Sequence, residues 1–370
     1  MKVRIPSGIV EALRLTRAGK LDEATAAIQR TLGGVLPGVN PSPATRSEAS
    51  AGVATAPVRP TRSESEPAPA PAPGLAGAQA RGRLVDGSVS NRAGTRGYKL
   101  YVPSGYVGQA VPLVVMLHGC TQTAADAAAG TRLNTLAEDD VLLVVYPEQA
   151  AAANQSKCWN WFQPTDQQRD AGEPSLIADI TRQVMATYHV DAGRVSVAGM
   201  SAGGAMAAIL GATYPDLFAA VGVHSGLARG AARNLRSGLV AMRQGGPIPA
   251  PSEVRRVTPT IVFHGDRDTT VHPRNGEQVL AQALALSDAD GPGRTVSEGR
   301  VPNGYTYTRS LYRDAGGDVV GEHWVVHGAG HTWSGGSPSG SFTDPRGPDA
   351  SKEMLRFFRE HPRADLASGS

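Results

Sequence analysis

The sequence predicts an α/β fold built on a mostly parallel, doubly wound sheet, and three observations predict it. From residue 112 to residue 360, short apolar strands alternate with segments of helical periodicity, the pattern of strand–helix crossovers. The segments richest in glycine and reactive side chains follow strand ends, where ligands bind in sheets of this kind. The chain has 370 residues, 41% hydrophobic and 19% charged, and a globular part of about 280 residues is ample for one such core.

Read in order, residues 1–36 hold two helical stretches, Ile9–Leu15 and Leu21–Leu32, separated by Ala18-Gly19-Lys20. They predict a short helical hairpin that cannot bury its apolar face alone, so it docks on the rest of the chain, self-associates or meets an unknown partner. Residues 37–81 are dominated by Pro, Ala, Ser, Thr and Arg, with Glu66–Pro73 at their centre. Such a composition predicts a disordered linker. Residues 82–370 form the expected α/β domain. It opens on antiparallel edge strands at Ser88–Ser90 and Tyr98–Val102. Strand 112–118, helix 123–138, strand 141–146, helix 174–188, strand 194–199 and helix 202–213 follow. Strands 219–224 and 259–264, helix 275–286, strands near 305–312 and 321–327, and helix 349–360 complete it.

The most informative residue is Ser201, in Gly199-Met200-Ser201-Ala202-Gly203-Gly204 between a predicted strand and a predicted helix. A G-x-S-x-G in that context is a nucleophile elbow, whose turn is too tight for side chains at the flanking glycines. Strand 259–264 runs into His264-Gly265-Asp266-Arg267-Asp268, which makes Asp268 the candidate acid and Asp266 its competitor. His331, in Gly328-Ala329-Gly330-His331-Thr332-Trp333, is the candidate base, with His323 and His327 as the alternatives. His264, His323 and His327 sit within or at the ends of strands, where a packed histidine is the commoner outcome. The order Ser–Asp–His is that of the α/β-hydrolase fold. In such a set the histidine takes the serine proton during attack on a carbonyl, and the acid holds the imidazole tautomer. The oxyanion then needs preorganised donors. The N–H of Ala202 is one; Cys120, in His118-Gly119-Cys120-Thr121-Gln122 after strand 112–118, supplies the other, with Thr121 as the alternative. His118 is expected to orient this loop by a hydrogen bond.

Leu117–Gln122, Cys158-Trp159-Asn160-Trp161-Phe162, Gly172–Ile177, Gly199–Gly204 and Gly330–Gly336 together resemble the polyhydroxybutyrate depolymerase-type esterases, a family that includes feruloyl and acetyl-xylan esterases. The resemblance spans roughly residues 82 to 361. It implies an α/β-hydrolase domain, a Ser201/Asp268/His331 triad, hydrolysis of carboxylic esters and a disulfide between Cys120 and Cys158. Polymer-degrading relatives carry a substrate-binding domain after the catalytic one. None is expected after helix 349–360, which favours soluble hydroxyalkanoate oligomers or small esters as substrates. Trp159, Trp161 and Trp333 fall in the candidate site loops, either as core anchors or as an aromatic wall for the acyl group.

Other classes find little support. The net charge is +3 and no block of like charges occurs, so nothing points to nucleic acid or a membrane surface. No run of 18 apolar residues predicts a membrane span. Two cysteines without paired spacing do not make a zinc site, neither stands in a nucleophile context, and no cofactor is expected. Met1–Gly19 lacks the apolar stretch of a secretory signal, which argues for the cytoplasm, whereas a disulfide argues for an extracellular or periplasmic location. The competing functional readings are a feruloyl or acetyl-xylan type esterase, peptide or thioester cleavage on the same triad, and a hydrolase fold retired into binding or scaffolding.

Overall fold

The computed structural model describes residues 82–247, 258–285 and 293–363, together with Glu11. Glu11 apart, the expected hairpin and linker lie outside the described residues. The strands are β1 (Arg83–Asn91), β2 (Gly94–Val102), β3 (Val111–Leu117), β4 (Leu143–Glu148), β5 (Val190–Met200), β6 (Ala220–His224), β7 (Thr260–Gly265), β8 (Arg294–Arg300), β9 (Thr306–Arg313) and β10 (Val319–His327). A separate parallel pair is formed by β11 (Trp333–Ser334) and β12 (Thr343–Asp344). The helices are α1 (Ala124–Thr131), α2 (Leu133–Asp140), α3 (Gly172–Thr187), α4 (Ala202–Thr213), α5 (Leu235–Gln244), α6 (Arg274–Leu284) and α7 (Ala350–Glu360).

One ten-stranded sheet runs in the order β1-β2-β4-β3-β5-β6-β7-β10-β9-β8. Its centre, from β4 to β10, is parallel, and an antiparallel pair extends it on each side. Parallel strands covered on both faces read as continuous apolar runs, as β3, β6 and β7 do. The alternation of side chains separates two cores. Leu113, Val115 and Leu117 of β3 pack on one face with residues of α3 and α4, while Val114 and Met116 face α1, α2 and α7. From β3 the chain steps out to β4 and then returns across β3 to β5, so the winding direction reverses there. The ends of β3 and β5 therefore open a crevice at the switch point, where the His118 loop and Ser201 sit. Among the described residues, no helix is long and apolar enough to cross a membrane.

Most expected elements are found with small shifts in their ends, but the first edge strand, expected over Ser88–Ser90, extends over Arg83–Asn91. The single helix expected over 123–138 is two helices, broken at Arg132, whose φ is 58°. Among the described residues, β8, α5, the short β11–β12 pair and a 3-10 turn at Pro164–Gln167 went unpredicted.

Candidate active site

Ser201 occupies the one-residue turn between β5 and α4 with φ 57° and ψ −119°. A non-glycine residue there is strained, and the surroundings hold it in place. Its N–H donates to the His224 carbonyl at 2.9 Å, and its own carbonyl accepts from Ala205 N–H at 2.9 Å. The two glycines are required by contact: a Cβ on Gly199 would lie 2.3 Å from Gly203, and one on Gly203 would lie 2.2 Å from the Leu117 carbonyl oxygen. The elbow and the β3 end thus touch backbone to backbone. That brings the loop Gly119–Cys120 alongside the serine.

Asp268 and His331 meet because their loops are laced together. Arg267 N–H donates to Ala329 O at 3.1 Å and Asp266 N–H to Val326 O at 3.1 Å, and Gly265 admits Ala329 where any Cβ would clash. His331 Nδ1 then lies 2.7 Å from Asp268 Oδ2. The other carboxylate oxygen accepts the N–H groups of Thr270 at 2.9 Å and Val271 at 2.8 Å. Burial pushes the Asp268 carboxyl up, but the neighbouring His331 and the hydrogen bonds from His264 and His331 outweigh it and hold it well below the usual carboxylate range. His264 is fully enclosed, with Nε2 2.8 Å from the Val271 carbonyl and 3.4 Å from Asp268 Oδ2. A carbonyl can only accept, so its proton sits on Nε2. Asp266 belongs to a different pair: it faces His327 Nδ1 at 2.9 Å and takes the Gly328 N–H at 2.7 Å, half-exposed.

On the other side of Ser201, the Thr121 N–H is committed to the Ser156 carbonyl at 2.7 Å and the Gly119 N–H to Gln122 Oε1 at 2.8 Å. Cys120 stands between them and is joined to Cys158 in a disulfide with Cα atoms 4.2 Å apart. Ala202 is the first residue of α4, where an N–H has no acceptor within its own helix. His118 accepts the Gln149 N–H at Nε2 (3.0 Å) and donates from Nδ1 to Gly119 O (2.8 Å); burial lowers its pKa, so it is a neutral brace for this loop.

Ser201, Ala202, Cys120 and His331 border one narrow cavity of about 90 Å³. Pockets that enclose drug-sized ligands run to about 300–1,000 Å³, so this one takes a small group. Its other walls are mostly apolar, among them Trp161, Phe162, Leu227, Leu239, Met242, Val271 and Phe342, with Gln122 and Thr270 as polar neighbours. Of the three tryptophans, only Trp161 reaches the cavity. Trp159 is fully buried and ties its Nε1–H to the His118 carbonyl at 3.1 Å, and Trp333, 2% exposed, ties its own to Ser351 Oγ at 3.0 Å. Both are core anchors, because an indole N–H buried this deeply needs a protein acceptor.

Sequence reading overlooked two braces. His224 stacks between Phe263 and Trp333, and its Nε2 accepts the Ser334 N–H at 3.0 Å, fastening the segment after His331 to the sheet end. Burial, with His264 and His331 nearby, lowers its pKa to about 3. Glu173 at the start of α3 is buried and holds Asn160 through N (2.7 Å) and Nδ2 (2.7 Å), together with Arg96 and Gln149. It fixes the loop from Cys158 to Phe162. A carboxylate at a predicted helix start between two site motifs was the available signal; its burial was not legible in the sequence.

Comparison with known proteins bears on this arrangement. Poly(3-hydroxyalkanoate) depolymerase C of Paucimonas lemoignei is 34% identical over 62% of the chain, which spans 57% of the length of that relative. Feruloyl esterase B of Neurospora crassa is 31% identical over 66% of the chain and 82% of its own length. Acetylxylan esterase A of Talaromyces purpureogenus is 27% identical over 70% of the chain and 72% of its own length. The solved acetyl xylan esterase from Aspergillus awamori superposes with a TM-score of 0.58 at 20% identity, covering 75% of the chain and 99% of that structure, which identifies the α/β-hydrolase fold. The sequence profile described as Esterase PHB depolymerase matches residues 96–300, more than half of the chain, and the chain belongs to that family of esterases.

Proposed function

We propose that the protein is a serine carboxylic-ester hydrolase working through an acyl-enzyme, with Ser201 as nucleophile, His331 as base and Asp268 as the orienting acid. The observation that carries the reading is His331, paired with Asp268 at 2.7 Å, bordering the same cavity as a serine in a strained strand-to-helix turn. In the proposed cycle, His331 Nε2 takes the Ser201 proton as Oγ attacks the ester carbonyl. The tetrahedral oxyanion receives hydrogen bonds from Cys120 N–H and Ala202 N–H. Collapse expels the alcohol, which takes the proton back from His331. Water, deprotonated by His331, then hydrolyses the acyl-enzyme and frees the acid.

The small apolar cavity favours short acyl groups, so hydroxyalkanoate oligomers and small esters are the proposed substrates. The bulk of a hydroxycinnamoyl ring fits this cavity less well, which sets the feruloyl reading second. The disulfide favours an oxidising compartment. Turnover of p-nitrophenyl acetate, methyl ferulate and the 3-hydroxybutyrate trimer by wild type and Ser201→Ala tests the reading. The variant is expected to lose at least about 10⁴-fold in kcat with an unchanged circular dichroism spectrum. Wild-type rates no faster than the variant on every ester would refute it.

A further inference from the structure

The helix that walls the cavity carries a second chemistry on its outer flank. A helix turns about 100° per residue. Around α5, Ala241 and Gly238 face the core, Met242 lines the cavity, and Leu235 and Leu239 form its rim. Arg236 and Arg243 lie roughly 70° beyond that rim, on the exposed side, with Val240 next to them. Arg233 stands just before the N-cap Asn234. Leu235 is 38% and Val240 48% exposed, so the rim and the flank are open together.

The charge is one-sided. From Leu217 to Pro247 the sequence has four arginines and no acidic residue. Arg229 gives its Nε–H to the Gln167 carbonyl. Among the described residues, no carboxylate pairs with Arg233, Arg236 or Arg243, whereas Arg169, Arg309 and Arg356 are each bound to one or more. Three guanidinium groups with no carboxylate partner among the described residues, on and just before the helix that walls an apolar cleft, raise the local concentration of anions. Each presents a planar fork that matches a carboxylate. Arg236 and Arg243 are about 10 Å apart along the helix, so an extended chain leaving the cavity over Leu235 and Leu239 passes both.

We propose that Arg233, Arg236 and Arg243 form a carboxylate-binding site at the cavity mouth, and that the preferred substrates are ester oligomers ending in a free carboxylate rather than neutral esters. The identity of the ester rests on the hydrolase reading above; the anion site rests on the arginines alone. A linear hydroxyalkanoate oligomer has the required form, an ester-linked chain with one terminal carboxylate.

Binding separates the two. The full chain carrying Ser201→Ala is titrated calorimetrically with the 3-hydroxybutyrate trimer as free acid and as methyl ester, with and without Arg236→Gln/Arg243→Gln. The acid is expected to bind about tenfold more tightly than the methyl ester at low salt. That ratio should shrink toward one in 0.5 M NaCl and in the arginine variant. Equal binding of acid and methyl ester, no binding of either, or a ratio untouched by the arginine substitutions overturns the proposal. Discrimination in binding without hydrolysis of either compound by the wild type would leave the anion site standing and remove the hydrolase reading instead.

Discussion

Two aspartates two residues apart, Asp266 and Asp268, show how the surroundings divide similar side chains into different roles. Both face a histidine at hydrogen-bond distance, 2.9 Å for Asp266 with His327 and 2.7 Å for Asp268 with His331. Their surroundings separate them. Asp266 is half-exposed, so water screens its pair and the interaction is weak. Asp268 is enclosed, takes two backbone N–H groups on one oxygen and two imidazoles on the other, and is held in its charged form. Asp268→Asn keeps the shape but presents an amide to His331 and favours the wrong tautomer, so kcat on a p-nitrophenyl ester is expected to fall about 10³–10⁴-fold. Asp266→Asn is expected to stay within about threefold, as an exposed pair away from the cavity should. Steady-state kinetics on both variants check this, and the reverse ranking would move the acid to Asp266.

At the scale of elements, the site is an agreement among loops, each fastened by something outside the proposed triad. The disulfide is the strongest such fastener, joining the loop after β3 to the segment carrying Trp161 and closing a separation of 38 residues. In the chain-entropy picture a loop of that length is worth about 4 kcal/mol, mostly by restricting the unfolded chain. Cys120→Ala/Cys158→Ala is therefore expected to lower the urea midpoint by the equivalent of about 3–4 kcal/mol. Dithiothreitol should reproduce the shift in wild type and do nothing to the variant; equal midpoints would show that the tie adds no stability. The elements legible in the sequence were those with a strong local signal. Gly199 and Gly203 around Ser201, and Gly335 and Gly336 after His331, mark backbone contacts that permit no side chain, and the apolar runs of β3, β6 and β7 mark strands buried on both faces. The cavity wall was harder to read. The helix α5 lies in a segment with few neighbouring strand signals, and its start is set by a reciprocal Asn234–Ser237 capping box that involves no Glu or Gln. Trp159 and Trp333 misled for a related reason: a motif position near a reactive residue does not say which way the ring points, and that is decided by which acceptor its N–H can reach.

For the whole molecule, the buried histidines tie stability to pH. His118, His224 and His323 are all enclosed, and burial is the first cause of the lowered pKa of each; that of His224 falls to about 3 and that of His323 to about 4. In the unfolded chain a histidine titrates near 6.5. As pH falls below that value the unfolded chain gains protons that the native state does not, so stability is complete above about 6.5 and declines toward the native values near 4 and 3. Asp166 works against this. Burial raises its carboxyl to about 6, opposed by the Glu173 N–H and aided by the Glu173 charge, so the native state holds a proton there that the unfolded chain releases. Three histidines outweigh one aspartate, and the net expectation is a melting temperature that drops between pH 6.5 and pH 4. His323 isolates the effect best, because among the described residues its buried Nε2 has no hydrogen-bond partner and it lies on β10 with no direct bond to the proposed triad. His323→Leu removes one titrating group while keeping an apolar side chain of similar volume in the sheet. Its melting temperature should fall less steeply over that range than that of wild type, whatever its value at pH 8. Parallel curves for the two proteins would mean that His323 carries the same proton folded and unfolded, and the acid sensitivity would then have to come from other groups.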